Sequence, residues 1–234
     1  MNLRNSCKKW TLPQHGHNFY TTTCTANSQQ ISVPTNTKTK EIVFRSHRKR
    51  GKDAQLPASH NDIERVTNIT ALGVVINDRL TASDHVSYTL AGCTSLLYAL
   101  RVLRCHGLPE QSLKDVFRAT VIAKLTYCLP AWFGLCSAAD RTRLNSFLRR
   151  CMKLGYYSTS DPDILSIAEE VEYDLFTTIL RNPQHVLQPY LQERPKLHYQ
   201  LRNRLGLSKS LIQKTVDLND CSDFIVRNLY KTSY

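Results

Sequence analysis

The chain has 234 residues, of which 41% are hydrophobic and 21% are charged. This length and composition suffice for one domain or a small pair with a sizeable core, and they exclude wholesale disorder. The longest apolar stretch, residues 127–139, is interrupted by Pro130 and Gly134, so it predicts no membrane-spanning helix. Lys8 and Lys9 are followed by no apolar core, so no secretory signal is predicted and we expect an intracellular protein, in the nucleus or the cytoplasm.

The formal net charge of +12 is unevenly distributed along the chain. Residues 34–52 carry seven Lys or Arg against one Glu, and residues 108–160 carry eight against three acids. Residues 161–180 hold six acids and no Lys or Arg. A clustered basic excess is typical of phosphate binding, but a solubilising surface on a basic protein gives the same pattern. Charge alone leaves both interpretations open.

Eight cysteines are dispersed along the chain and form no CxxC pair. In an intracellular chain this pattern predicts reduced, mostly buried thiols. A zinc site built from Cys7, His15, His17 and Cys24 is conceivable, but the spacing matches no common zinc finger. We therefore predict no metal and no cofactor.

In chain order, residues 1–35 are rich in Thr, Asn, Ser and Gln without an apolar period, which predicts a disordered lead-in. Residues 36–80 are predicted to form a small two-stranded β element, with strands at 40–45 and 69–76 and a basic loop at 45–52 between them. The loop is either a nuclear-localisation patch or a solvated connection.

Residues 81–234 have a helical apolar period, which predicts a bundle. The helices are predicted from a capping box at residues 81–84 to Gly107, from Pro109 to Pro130, from a capping box at residues 137–140 onward, and from residues 161–163 to Ile179, with shorter stretches at 183–191, 208–216 and 221–230. The predicted fold class is mainly α: a helical bundle preceded by a small β element and a disordered N-terminal segment.

The third and fourth predicted helices carry opposite charge. The third presents Arg141, Arg143, Arg149, Arg150 and Lys153 away from its apolar side. The fourth carries the acids of residues 161–180, which either solvate one face and pair with the basic helix before it, or form an acidic ligand site.

Short motifs follow one another in a fixed order over residues 36–232. They are NTKTKEIVF (36–44), IERV (63–66), LGVVINDRL (72–80), LYALRVLR (97–104), LTY (125–127), AWFG (131–134), DLF (174–176) and DFIVRNLY (223–230). In this order they resemble the C-terminal portion of non-LTR (LINE-type, jockey/CR1-like) retrotransposon reverse transcriptases. The resemblance implies a palm remnant at residues 36–80 and a helical thumb-like domain with a C-terminal extension at residues 81–234.

The family transfers nucleotides with two Mg²⁺ ions that are held by adjacent aspartates. This sequence contains no Asp-Asp pair, and its adjacent acids Glu169 and Glu170 point apart on a helix. The resemblance therefore implies a truncated RNA-directed DNA polymerase that is inactive alone and retains affinity for RNA or RNA–DNA hybrid without sequence preference.

The residues nominated for nucleic-acid binding fall into three groups. The first lies on the first strand and its loop: Lys38, Lys40, Arg45, Arg48, Lys49 and Arg50. The second, Leu72 and Gly73, matches the family's primer-grip hairpin, where Gly permits close backbone approach; a strand-edge packing pair is the alternative. The third lies on the thumb-like helices, which track the backbone of a duplex: Arg101, Arg104, Arg141, Arg149, Arg150 and Lys153.

Two other functions remain open. The acidic helix predicts a protein-interaction module that uses Glu169, Glu170 and Glu172 against a basic partner. A severed pair of palm strands exposes unpaired edges, so an unstable, functionless product of a decayed element is the third interpretation. The sequence predicts no oligomeric state.

Overall fold

The computed structural model describes residues 20–24, 40–44, 63–191, 209, 211–212 and 222–232. Within them the fold is mainly α with a small β part, which confirms the predicted fold class. The chain divides into two compact units, Met1–Ile69 with Asn77–Leu80, and Thr70–Ile76 with Thr81–Tyr234.

The first unit contains a three-stranded sheet of β1 (Tyr20–Cys24), β2 (Lys40–Phe44) and β3 (Glu64–Arg65). β2 lies in the middle, antiparallel to β1 and parallel to β3. Its Glu41 side chain is buried and accepts hydrogen bonds of 3.1–3.2 Å from the Arg65 guanidinium. Because an unpaired buried carboxylate would be costly, this pairing is what allows an acid in the central strand.

Three predictions for the β region are wrong. β1 lies in the lead-in that was predicted to be disordered, because its Thr-rich sequence has strand propensity but no apolar alternation. β2 pairs with β1 and β3, not with residues 69–76. Residues 69–76 were predicted to be a single strand, but they belong to a hairpin of two strands, β4 (Asn68–Ala71) and β5 (Val74–Asn77). Leu72 and Gly73 make its two-residue turn with φ of +48° and +81°, the left-handed pair that such turns require.

Seven α-helices lie in the described part of the second unit. They are α1 (Ser83–Cys105), α2 (Glu110–Phe117), α3 (Ala123–Thr126), α4 (Leu129–Trp132), α5 (Ala138–Lys153), α6 (Ile164–Arg181) and α7 (Phe224–Lys231). A π-helical turn, Arg118–Ile122, joins α2 to α3. Only a 3₁₀ turn, Gln188–Tyr190, forms where a helical stretch was predicted over 183–191.

The predicted helix ends are partly confirmed. The capping box of Ser137 and Asp140 starts α5, and Asp163 caps α6. α1 begins at Ser83, two residues after the Thr81 that was predicted to start the capping box, and Ala82 takes the cap position without a side-chain cap. The second predicted helix was expected to run to Pro130, but α3 ends at Thr126. Proline instead enters the first turn of α4, where its missing N–H costs nothing.

The core of the bundle follows the predicted apolar stripes. Val86, Cys93, Leu97 and Leu100 of α1 are buried, and so are the inward residues of α5: Leu144, Phe147, Leu148 and Cys151. Each large apolar side chain that is removed from water contributes about 1.5–3 kcal/mol. A second cluster, Phe176, Ile179, Leu191 and Leu229, joins α6 to α7.

α1 and α5 run side by side in the same direction. Near their first turns, the Ser83 hydroxyl donates to Asp140 over 2.8 Å and the Arg143 guanidinium donates to the Ser87 hydroxyl over 2.9 Å. Near their last turns, Arg104 donates to the Leu154 carbonyl over 2.9 Å. Corresponding ends of the two helices are therefore adjacent.

By length and composition α1 could also cross a membrane, the one such helix among the described residues. The core helix of a soluble protein passes the same criterion, and one stripe of α1 is packed in the core.

Candidate nucleic-acid interface

The side of α1 that faces away from the core is exposed. Ser87, Ala91, Thr94 and Tyr98 are all exposed, and their spacing of four, three and four residues places them on one face. The Ser87 and Thr94 hydroxyls donate to carbonyls of their own helix over 2.9 and 2.8 Å. These four residues, the outer face of α1, therefore project little from the helix except at Tyr98.

Two cations flank the outer face of α1. Arg143 of α5 donates to the Ser87 hydroxyl over 2.9 Å. The Lys124 ammonium lies 5.6 Å from the ring centroid of Tyr88, to one side of the face. Since consecutive helix residues point about 100° apart, Arg143 contacts the outer face itself at Ser87, and Lys124 lies to one side of that face at Tyr88.

Gly92 fixes the path of the Lys124 side chain. A Cβ at this position would collide with the Lys124 Cε, so the glycine leaves the surface of α1 open to the lysine stem. The ammonium lies close enough to affect His85. Burial first, and then the charge of Lys124, holds the pKa of His85 below its ordinary value. Neutral His85 accepts a hydrogen bond on Nδ1 from the Val75 N–H over 3.2 Å, which ties β5 to α1.

The β4–β5 turn presents Leu72 to solvent beside α3. The Leu72 side chain is 89% exposed, so the alternative of a packing pair is wrong for this residue. Its carbonyl accepts a 3.0 Å hydrogen bond from the half-exposed Tyr127 hydroxyl. Gly73 lies against the same ring, since a Cβ there would come within 3.3 Å of Tyr127 Cε1. Tyr127 therefore holds the turn in place, and the Leu72 side chain projects into solvent.

The C-terminal ends of α1 and α5 bring four nominated cations together. Arg104 donates to the Leu154 carbonyl and lies 4.3 Å from the ring centroid of Tyr156. Arg101, Arg150 and Lys153 are exposed on the last turns of the same two helices. These cations also oppose the negative ends of the two helix dipoles, so part of their role is structural.

Arg141 and Arg149 are not part of this arrangement. Arg150 follows Arg143 by seven residues and so shares its edge of α5, whereas Arg141 and Arg149 point roughly 160° and 120° away from Arg143. Arg141 lies over the Phe133 ring at 5.2 Å, and Arg149 donates to the Ser146 hydroxyl over 3.2 Å.

The nominated residues of the strand and basic loop belong to the first unit. Lys40 is half-exposed on β2 and binds Glu64 over 3.3 Å. The remaining five, Lys38, Arg45, Arg48, Lys49 and Arg50, lie outside the described residues.

Two residues of the site, Lys124 and Arg143, were not nominated from the sequence. Arg143 was one of five cations on a basic helix, and nothing in the sequence distinguishes the one that faces α1. Lys124 lies in an apolar segment, where an isolated cation gives no pattern. The only signal for Lys124 in the sequence is Gly92, because a helix interior favours alanine and a glycine there permits another side chain to approach closely.

The acidic side of α6 is matched by α7, not by the basic helix before it. Glu172 is buried and binds the Arg227 guanidinium through both carboxylate oxygens. Glu169 binds Lys231 over 3.1 Å. The suggestion that the acids pair with α5 is therefore corrected for these two residues. Of the three carboxylates nominated for a protein partner, two already bind α7.

Cysteine burial agrees with the prediction only in part. Cys93, Cys136 and Cys151 are buried, whereas Cys105 and Cys128 are exposed. Burial raises the pKa of Cys93 to about 11 and those of Cys136 and Cys151 to about 12, so these buried thiols stay protonated. The candidate zinc ligands Cys7, His15 and His17 lie outside the described residues, as does the side chain of Cys24. Among the described residues no group of three or more His, Cys, Asp or Glu could hold a metal ion.

Comparisons of this chain with models of protein families, with curated proteins and with solved structures gave no match.

Proposed function

We propose that the chain is part of a non-LTR reverse-transcriptase-like protein that binds RNA or RNA–DNA hybrid without sequence preference, and that it does not transfer nucleotides by itself. The observation that carries the binding proposal is the placement of Arg143 and Lys124 about 100° apart on the exposed side of α1. The family assignment rests on the ordered motifs of the sequence.

The geometry of this face suits a nucleic-acid backbone. A ridge of mostly small side chains can approach a strand or a shallow groove closely, and the two cations beside it can then reach phosphates. The ridge runs from Ser87 to Tyr98 within the 23 residues of α1, so it is about 17 Å long. Arg101, Arg104, Arg150 and Lys153 extend the positive charge to its far end.

The same geometry predicts binding without sequence preference. The outer face of α1 offers few free donors, because the Ser87 and Thr94 hydroxyls already donate to the helix backbone. Flanking cations contact phosphates, which carry no direct sequence information. Exposed Tyr88 and Tyr98 add ring surface, which is tolerant of base identity.

Equilibrium filter binding of the full chain to a labelled RNA–DNA hybrid tests the proposal. We expect retention at about 50 mM salt and a steep loss, by roughly 10³-fold or more, at about 200 mM, because released counterions dominate such binding. Negligible retention at the lower salt concentration would remove the binding proposal. Primer extension with Mg²⁺ on the same hybrid should give no product. Incorporation of nucleotides would contradict the proposal that the chain does not transfer nucleotides by itself.

A pair of double variants tests the face itself. Lys124→Gln with Arg143→Gln should weaken hybrid binding by roughly 10- to 100-fold, because two charge-assisted contacts are lost. Arg141→Gln with Arg149→Gln removes the same charge from the other side of α5 and should change affinity by less than about threefold. Equal losses in both variants would show that net charge, and not this face, controls binding.

A further inference from the structure

His85 is a buried titratable residue at which α1, α4 and β5 meet. Its side chain is 3% exposed, and its ring lies edge-on to the Trp132 ring of α4 at a centroid distance of 4.9 Å. Nδ1 accepts a hydrogen bond from the Val75 N–H of β5 over 3.2 Å. Nε2 lies 3.4 Å from the hydroxyl of Thr89, which is one turn further along α1. The proposed binding face does not itself use this residue.

The contacts of His85 require a neutral ring that carries its proton on Nε2. Only an unprotonated Nδ1 can accept the Val75 N–H, so the remaining proton lies on Nε2, toward the Thr89 hydroxyl oxygen. In the charged ring both nitrogens are donors, so protonation would set an N–H of His85 against the N–H of Val75. The hydrogen bond between α1 and β5 cannot survive that change.

Lys124 is the charged group whose field reaches the His85 ring. The other packed elements bring a backbone N–H from β5 and the Trp132 ring from α4, and neither element has a titratable side chain. On α1 itself the adjacent acid, Asp84, is exposed. Burial is the larger cause and the Lys124 ammonium the second cause of a His85 pKa below its ordinary value. Both therefore favour the neutral ring that the hydrogen bond requires.

The turn between β4 and β5 is attached to the helices by a buried and an exposed contact. At its tip, the Leu72 carbonyl accepts a hydrogen bond from the Tyr127 hydroxyl over 3.0 Å, and Tyr127 is 52% exposed. Water can replace such an exposed partner. The bond from Val75 to the buried ring of His85 is shielded from water, so its loss would loosen the turn more than loss of the bond at the tip.

We propose that the hydrogen bond between His85 and Val75 is a proton-sensitive latch on the β4–β5 turn, and that an anion bound at Lys124 makes the latch open at higher pH. Acid protonates the ring, breaks its bond to the Val75 N–H and loosens the turn. A phosphate that neutralises Lys124 removes one of the two causes that disfavour the charged ring. The latch is independent of the proposed function, whereas its link to a nucleic-acid strand rests on that function.

Nuclear magnetic resonance of the full chain between about pH 4.5 and pH 8 tests the latch. The His85 ring should titrate with a midpoint below the ordinary histidine pKa of about 6.5. Over the same range, protection of the Val75 amide against hydrogen exchange, corrected for the intrinsic rate, should fall by about tenfold. The Cys93 amide in the middle of α1 should lose less than about twofold, because a local opening does not reach it.

The variant His85→Asn separates the proton from the hydrogen bond. Its side-chain oxygen is an acceptor near the position of Nδ1 and does not titrate, so Val75 protection should stay within about twofold across the pH range. In the unsubstituted chain, Val75 protection that does not follow the His85 titration overturns the latch. An equal loss at Val75 and Cys93 also overturns it, because the change is then global.

A second set of titrations tests the role of Lys124. Lys124→Gln should move the His85 midpoint upward, whereas Lys153→Gln, which removes the same charge from the last turn of α5, should leave it unchanged. A midpoint that is the same in Lys124→Gln and the unsubstituted chain, or that moves equally in both variants, contradicts the coupling. Addition of an RNA–DNA hybrid at about 50 mM salt to the unsubstituted chain should also raise the midpoint.

The hybrid titration distinguishes failure of the coupling from failure of the proposed function. A hybrid that is retained on filters but leaves the His85 midpoint unchanged contradicts the link to nucleic acid and leaves the proposed function standing. A hybrid that is not retained removes the proposed function. The latch is then still decided by the Val75 protection and by the midpoint in Lys124→Gln, which need no nucleic acid.

Discussion

At the residue scale, Glu172 and Arg227 form the most deeply buried ion pair among the described residues, with side chains 3% and 15% exposed. Glu172→Gln leaves the guanidinium buried without its countercharge. We expect a loss of about 3–5 kcal/mol in the free energy of unfolding, which urea denaturation followed by circular dichroism would measure.

Two further variants make this result interpretable. Glu170→Gln, an exposed neighbour on the same helix, should change stability by less than about 0.5 kcal/mol. Glu172→Met combined with Arg227→Leu removes both charges and should recover most of the loss. A cost for Glu172→Gln no greater than that of Glu170→Gln would show that the pair contributes little. Because of this burial, loss of partner capture in Glu172 variants would not identify a protein-binding surface.

Asp140 gives the molecule a predictable response to acid. Burial acts to raise the pKa of this carboxyl, but hydrogen bonds from the Ser137 and Ser83 side chains outweigh burial and hold the pKa below its ordinary value. A depressed folded-state pKa stabilises the fold above the unfolded value of about 3.9, and this contribution is lost as pH falls through the folded value. The carboxylate therefore stabilises the junction of α1 and α5 at neutral pH.

Asp140→Asn should lower stability at pH 7 by about 1–2 kcal/mol, because the cap of α5 and the bond to Ser83 are weakened together. The difference from the unsubstituted chain should begin to shrink below about pH 4, where the unfolded state takes up its proton, and should be lost only as pH falls through the lowered folded-state pKa of Asp140. Urea unfolding at several pH values measures both effects. Asp174→Asn, an exposed carboxyl of α6, serves as the control. A stability difference that does not change with pH would contradict the assignment of this acid response to the Asp140 carboxylate.

At the element scale, Gly134 sets how closely the segment carrying α7 approaches the bundle. A Cβ at this position would collide with Arg227 Nη1 and with the backbone carbonyl of Ser222. Backbone cannot swing away as a flexible side chain can, so Gly134→Ala should displace the segment and cost about 1–3 kcal/mol. Hydrogen exchange followed by mass spectrometry should show faster exchange in Phe224–Lys231 and unchanged exchange in α1.

Gly92→Ala is the matched control for this prediction. The added Cβ meets only the flexible end of Lys124, and alanine favours the helix interior by roughly 0.5–1 kcal/mol. Exchange in α7 should not change in this variant. Equal acceleration in both variants would mean that the glycine at position 134 is not what holds α7.

The elements themselves show what local sequence encodes. α5 and α6 were predicted with their caps because a Ser or Asp at the helix start leaves a short-range signal. Two features were missed for the opposite reason. The pairing of β2 with β1 and β3 depends on residues 16 or more positions away, and the left-handed φ of Leu72 depends on a turn that tertiary contact with Tyr127 supports.

The candidate site divides in the same way. The resemblance to a helical thumb nominated the cations at the ends of α1 and α5, because clustered Arg and Lys on its helices are visible in the sequence. Arg141 and Arg149 were nominated with them, because the sequence does not show which cations of α5 lie on the side of α1. Lys124 gains significance only from Tyr88 and Gly92, which folding brings beside it.

At the scale of the whole molecule, a net charge of +12 attracts any polyanion, so affinity alone does not identify a binding face. The dependence on salt is more informative, because the slope of log K against log salt counts phosphates that are neutralised by contact, at about 0.9 per phosphate for a duplex. If the outer face of α1 binds a nucleic-acid backbone as proposed, Lys124 and Arg143 are the two cations beside it that would contact phosphates.

We therefore expect Lys124→Gln with Arg143→Gln to reduce the magnitude of this slope by about 1.5–2, and Arg141→Gln with Arg149→Gln by less than about 0.5, although both variants lose two charges. Two RNA–DNA hybrids of the same length and unrelated sequence should give the same slope and affinities within about threefold, because phosphate contacts do not read bases. Fluorescence anisotropy over a series of salt concentrations measures both quantities. Equal slope changes in the two variants would assign binding to net charge. A strong preference between the hybrids would instead require direct contacts to bases, which the small side chains on the outer face of α1 do not provide.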